Sequence, residues 1–197
     1  MRNAFSLLLP LALVLGLSAC SSNGSSAADP SSKEQKDNPV IEAKAKPARK
    51  AYTEEELNAP YSTVSPWRYI VTGPETQYFE RLVKTSSLAR TVHSSGHAVL
   101  VPRDLTFQDN KDWKALMEED NIEALDRFVG AHILKGVKSI KELDGAYENF
   151  NGDMVAIETN ATGERVCGGA RLLNQEIETD YGLVIPVVGM VEDIRWN

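Results

Sequence analysis

Between Ser21 and Pro60 this chain of 197 residues carries almost no large apolar side chains, and that gap decides where a fold can form. The stretch is rich in Ser, Ala, Lys, Glu, Asp and Pro. Six basic residues (Lys33, Lys36, Lys44, Lys46, Arg49, Lys50) face seven acidic ones (Asp29, Glu34, Asp37, Glu42, Glu54, Glu55, Glu56). Such a segment cannot offset the entropy of ordering by burying surface, so it reads as a solvated spacer. Tyr52 to Leu57 is open to two readings: a helical turn capped by Thr53 ahead of three acids, or plain linker. A core must come from residues 61–197, enough chain for one domain of ordinary size.

The residues before the spacer have a layout of their own. Arg2 gives a positive start, Phe5 to Leu17 is almost wholly apolar, and small residues precede Cys20 in Leu17-Ser18-Ala19-Cys20. That is the plan of a secretory signal peptide over residues 1–19. The apolar run stops well short of the roughly 20 residues a membrane-spanning helix needs. With the cysteine the segment resembles the lipobox of bacterial lipoproteins, against the plainer reading of a secretory signal followed by an unrelated cysteine. The resemblance implies cleavage before Cys20 and acylation of its thiol, as with palmitate, leaving residues 20–60 as a tether from the membrane of the cell envelope. Each buried methylene adds about 0.8 kcal/mol of membrane affinity, so several acyl chains hold firmly. Ser21 after the cysteine, in place of an Asp, leans toward the outer membrane if the cell has two membranes. A net charge of -7 argues against a nucleic-acid partner and against an electrostatic hold on anionic lipid. Cys167 then has no partner in its own chain and reads as a small buried hydrophobe.

From Tyr61 the pattern turns globular. Thr72-Gly73-Pro74 reads as a helix start with Pro at the first position, followed by an apolar stripe of Tyr78, Phe79, Leu82 and Val83. Ala98 to Val101, stopped by Pro102, suits a buried strand. A second helical stretch runs through Trp113, Leu116 and Met117. A third carries Ile122, Leu125, Phe128, Val129, His132 and Ile133, with His132 on the apolar face. Ser139 to Glu142 has capping-box spacing. The rest reads as strands: a hairpin around Asn151-Gly152, a turn at Asn160 to Gly163, a bulge at Gly168-Gly169, a turn at Asp180 to Gly182, and a closing segment from Met190 to Trp196. Helices gathered early and antiparallel strands late make an α+β class.

Three stretches in this order resemble the fasciclin family. Val99-Leu100-Val101-Pro102-Arg103-Asp104-Leu105-Thr106-Phe107 is similar to its first motif: a strand, a Pro, an Asn or Asp, and a Phe three residues on. Phe128 to Gly136 resembles its Tyr-His motif, and Gly182 to Val191 its closing strand pair. The departures are Ala131 for the Tyr before the His, Tyr181 for the Asn of Asn-Gly, Ile185 for a His and Val188 for an Asp. The resemblance implies a β-wedge with helices along one side, spanning from near Gly73 to the C-terminus, and a role in adhesion to a protein or matrix partner rather than catalysis. It also implies that Asp104 and His132 lie close. A carboxylate bonded to the imidazole would then pin the loop after the first strand to the end of the third helix, each group satisfying the other.

Little else in the sequence points to chemistry. His93 and His97 are four apart, but Gly96 intervenes and no acid or cysteine stands beside them, so both read as solvated surface histidines. No phosphate loop, nucleophile elbow or cysteine cluster is present, and no cofactor or metal is implied. Glu118-Glu119-Asp120 reads as a solvent-facing run at a helix start. Asn160-Ala161-Thr162 matches a glycosylation triplet, read as a chance match in a bacterial lipoprotein. Three functions remain: a membrane-anchored binding or adhesion module, a self-assembling structural lipoprotein of the envelope, and an enzyme working through a His132 and Asp104 pocket, in that order of preference. The first would show an exposed apolar or aromatic patch, as around Trp67, Tyr69, Trp113 or Trp196, although core packing is the plainer expectation for each.

Overall fold

A computed structural model describes residues 50–192 apart from 95, 109, 111, 138, 140–144 and 176. The segment assigned from sequence to the signal, Cys20, the Lys141 end of the capping-box match and Trp196 lie outside the described residues. The first helix, α1 (Glu54–Asn58), stands at the foot of the spacer. Thr53 and Glu56 close a capping box there: the Thr53 hydroxyl accepts the Glu56 N–H at 3.1 Å, and the Glu56 carboxylate accepts the Thr53 N–H at 2.8 Å. Of the two readings of this stretch, the helical turn is the one observed.

Helix α2 (Pro66–Thr72) opens on Ser65, whose hydroxyl accepts the Arg68 N–H at 3.1 Å, with Pro66 in the first turn. The sequence expectation placed a helix start at Thr72-Gly73-Pro74. Gly73 instead caps the end of α2, donating its N–H to Tyr69 O at 3.0 Å. Helix α3 (Gln77–Thr85) starts beyond it and buries Phe79, Leu82 and Val83, as the stripe required. Helix α4 (Ala89–Val92) follows.

Strand β1 (His97–Pro102) is apolar and buried from Ala98 onward, as suits a strand covered on both faces. A short α5 (Leu105–Gln108) follows, and the expected second helix is a 3-10 segment over Asp112–Met117 that buries Trp113 and Leu116. Helix α6 (Ile122–Ala131) ends one residue before His132, and Ile133 opens strand β2 (Ile133–Lys135) instead of extending the helix.

The remaining strands are β3 (Gly145–Glu148), β4 (Met154–Thr159), β5 (Arg165–Cys167), β6 (Ala170–Leu172), β7 (Ile177–Thr179) and β8 (Gly182–Val188). Gly168-Gly169 is no bulge. Cys167 pairs with Ala170, so the two glycines are the turn of a hairpin. The sheet runs β2-β1-β8-β6-β5-β4-β3, with β7 on the same edge of β8 as β6, ahead of it. Among the described residues only β1 and β8 pair in parallel, His97 against Gly182 through Pro102 against Val187. A bridge between Leu134 and Asn149 draws the two ends of the sheet together into a nearly closed wedge.

Period-two alternation then splits the apolar residues in two. Val99, Val101 and Val184 face the helices, with Phe79, Leu82, Phe107, Leu125 and Phe128. Ala98, Leu100, Leu183, Ile185 and Val187 face into the wedge, with Leu134, Ile157 and Cys167. The burial of Cys167 agrees with its sequence reading, and burial pushes its thiol up to about 11, away from nucleophilic use.

Candidate functional site

Asp104 sits in the turn after β1. Its N–H donates to Glu75 O at 2.7 Å, and its carboxylate accepts the Tyr78 N–H at 2.9 Å. Tyr78 is the second residue of α3, where a free N–H needs an acceptor. The local capping residue, Thr76, does not supply one: its side chain makes no cap bond and its hydroxyl turns back to donate to Ile70 O at 2.7 Å. Asp104 therefore caps α3 from 26 residues away in sequence. Beside it the Arg103 guanidinium lies 3.3 Å from the Glu75 carboxylate, and the Tyr61 hydroxyl lies 3.4 Å from the same group. Tyr61 holds a left-handed backbone, φ 52°, with its ring 5.0 Å from that of Tyr69. A side chain with a Cβ is uncommon there and needs surroundings that hold it in place.

Phe107, the other residue of the first motif, is core. Its ring lies 5.9 Å from Tyr78 and 6.4 Å from both Trp113 and Phe128. His132 has no exposed surface at all. Its Nδ1 stands 2.8 Å from Phe128 O, and its Nε2 accepts the Val191 N–H at 3.3 Å. The second bond requires a bare Nε2, so the proton is on Nδ1 and donates to Phe128 O. Burial holds the imidazole down to about pKa 4, so it is neutral at ordinary pH.

The expected bond between Asp104 and His132 is therefore not made. Each group has nearer backbone partners: the carboxylate takes a free amide at a helix start, and both imidazole nitrogens are engaged. The pins are real, but they are two separate ones. Asp104 fixes the β1 turn to α3, and His132 fixes the end of α6 to the segment after β8.

One of the histidine pair, His97, departs from its reading as well. The His93 ring packs 4.9 Å from Trp67 and the His97 ring 5.4 Å from Phe150, and burial lowers the pKa of both. His93 is nonetheless exposed, as its surface reading requires, whereas His97 is half-buried, and no group of three metal-ligating side chains stands together among the described residues. Tyr69 and Trp113 are core and Trp67 is half-buried against it, so none of the three builds an exposed patch. Glu118 to Asp120 faces solvent as expected.

Sequence reasoning missed a surface cluster at the β7–β8 turn. The Asp180 carboxylate accepts from Lys50 Nζ at 2.8 Å and from the Tyr52 hydroxyl at 3.1 Å, and those two bonds hold it below the usual carboxylate range. Open grooves lie on either side: one of about 380 Å³ beside Gly96, Val137, Glu178 and Tyr181, the other of about 350 Å³ beside Glu56, Pro60 and Tyr61. No signal in the sequence links Lys50 to a residue 130 positions away.

The family model of the fasciclin domain matches residues 74–190. The chain belongs to the fasciclin domain family. Among solved structures, a fasciclin domain pair from the insect cell adhesion molecule fasciclin I superposes with a TM-score of 0.55 at 12% identity. The match covers 66% of this chain and 51% of that one, so the chain spans about half the length of its structural relative. At that identity the likeness speaks to the fold alone. No curated protein matches the chain. Fasciclin domains are associated with adhesion and binding and are generally not enzymes, and the fold seen here is theirs: a nearly closed β-wedge flanked by helices.

Proposed function

We propose that this fasciclin domain is a binding or adhesion module of a bacterial cell envelope, anchored through acyl chains on Cys20 and contacting a protein or matrix partner. The observation that carries the reading is the commitment of the motif residues inside the fold. His132 has no exposed surface, and both of its nitrogens are bonded to backbone, so it cannot meet a substrate. Asp104 is engaged as a helix cap, and the Cys167 thiol is buried. What remains for function is the outer surface, which suits recognition better than catalysis. The adhesion role of the insect relative lends the reading support by analogy of fold.

The test has two arms in the native host. Fatty-acid labelling should mark the wild-type chain and miss the Cys20→Ala variant; an unlabelled wild type removes the anchor from the proposal. Cross-linking of intact cells should trap the wild-type chain with a partner from the envelope or matrix. Capture of copies of itself alone, with a mass that grows with concentration, would point to the self-assembling reading instead.

A further inference from the structure

The turn joining β4 to β5 reads Glu158-Thr159-Asn160-Ala161-Thr162-Gly163-Glu164. Its Asn-Ala-Thr triplet serves neither core nor the pins described above. We propose that Asn160 is a glycan acceptor, modified on its side-chain amide by an oligosaccharide delivered outside the cytoplasm from a polyprenyl diphosphate carrier. The inference rests on the export assumed in the functional reading.

Three observations carry it. First, the triplet has the acceptor spacing, Asn followed two residues on by a hydroxyl residue, with no Pro between. Second, it stands at a hairpin tip where Ala161, Thr162 and Gly163 are exposed and the exposed Glu158 lies two residues before the asparagine. A carboxylate there can pair with a cationic groove on a transferase, and the folded chain can present the site without opening. Third, the side chain is already arranged for the chemistry. Asn160 Oδ1 accepts from the Thr162 N–H at 3.0 Å and the Glu164 N–H at 2.9 Å, and the Thr162 hydroxyl, 2.6 Å away, shares its one proton between this oxygen and the Glu164 carboxylate at 3.0 Å. Two N–H donors and the nearer hydroxyl on the carbonyl oxygen draw charge toward it and make the Nδ2 protons more acidic. Nδ2 itself makes only a long bond, 3.3 Å, to the Glu164 carboxylate. An amide nitrogen is a poor nucleophile until it loses a proton, so this arrangement favours the transfer. In that step Nδ2 bonds to the anomeric carbon of the first sugar, the bond from that carbon to the diphosphate oxygen breaks, one Nδ2 proton passes to a base of the transferase, and polyprenyl diphosphate departs.

An asparagine that merely shapes its own turn needs the Thr162 N–H but not the Thr162 hydroxyl. The experiment uses that difference. The full chain is purified from the envelope of its native host, and the peptides holding Asn160 and Cys20 are weighed by mass spectrometry. The expected result is a sugar-sized mass on the Asn160 peptide of the wild type and of Thr162→Ser, and its complete loss in Thr162→Val with an unchanged far-UV spectrum. A lipid-bearing Cys20 peptide beside a bare Asn160 peptide overturns the acceptor while leaving the export reading intact. A bare Asn160 with an unlipidated Cys20 overturns both. A sugar mass that persists in Thr162→Val also overturns the assignment, since transfer would not depend on the triplet.

Discussion

A buried imidazole with both nitrogens bonded makes stability depend on pH in a defined window. His132 protonates near pH 4 in the fold and near 6.5 in the unfolded chain. Between those values the unfolded state binds the extra proton. The contribution is therefore full above about pH 6.5 and is lost as pH falls toward 4. A gap of roughly 2.5 pH units corresponds to about 3 kcal/mol. His93 and His97, lowered in the same direction, add to the slope. Denaturant melts at pH 7 and pH 4.5 should show the loss, and His132→Ala should flatten it. At pH 7 that variant should also lose about 3 kcal/mol through the cavity and the two orphaned backbone groups, so an unchanged melting temperature would contradict the pin. Asp104 is a milder case. Asp104→Ala should cost about 1 kcal/mol, the usual value of a helix cap, and Asp104→Asn less, because a side-chain oxygen remains to accept the Tyr78 N–H. Equal losses in the two variants would mean that charge, and not the acceptor, matters.

At the scale of elements, the tight turns set the limits. Gly168 holds φ +56°, and a Cβ there would overlap Val191 O, the same residue whose N–H reaches His132. Gly136 also has a positive φ, but a Cβ there meets open space. Gly168→Ala should therefore cost clearly more than Gly136→Ala, by about 2 kcal/mol, since the first adds backbone overlap to the strain both share. Equal melting temperatures would place the β5–β6 turn away from Val191. The pattern of what could be read in advance follows the range of the interactions. The hairpins at Asn151-Gly152 and Asp180 to Gly182 and the apolar run of β1 depend on neighbours in sequence and were legible. The stripe of α3 was legible, but its starting residue was not, because its cap comes from Asp104. Gly73-Pro74 resembles a start signal in isolation, and only the Tyr69 carbonyl it caps shows it to be an end. The candidate site divides likewise: the motif residues could be picked from the sequence, but their partners are backbone groups that no motif names.

At the scale of the molecule, the folded body reaches further back than the composition suggests. Lys50 and Tyr52 hold Asp180, and the Ser62 hydroxyl donates to Glu56 O at 2.5 Å. A chain beginning at Lys50 should be more stable than one beginning at Tyr61 by about 1–2 kcal/mol, summing a capping box and a few partly exposed bonds. Coincident thermal melts of the two would return residues 50–60 to the spacer. The parallel pairing of β1 with β8 has a different consequence. Strand β1 waits for a companion made 85 residues later, His97 for Gly182. During synthesis the early helices thus have only half a floor to settle on, and the body closes in one late event once nearly the whole chain is free. A polypeptide that stays open until its last strands emerge is one that can still be threaded through a narrow export channel.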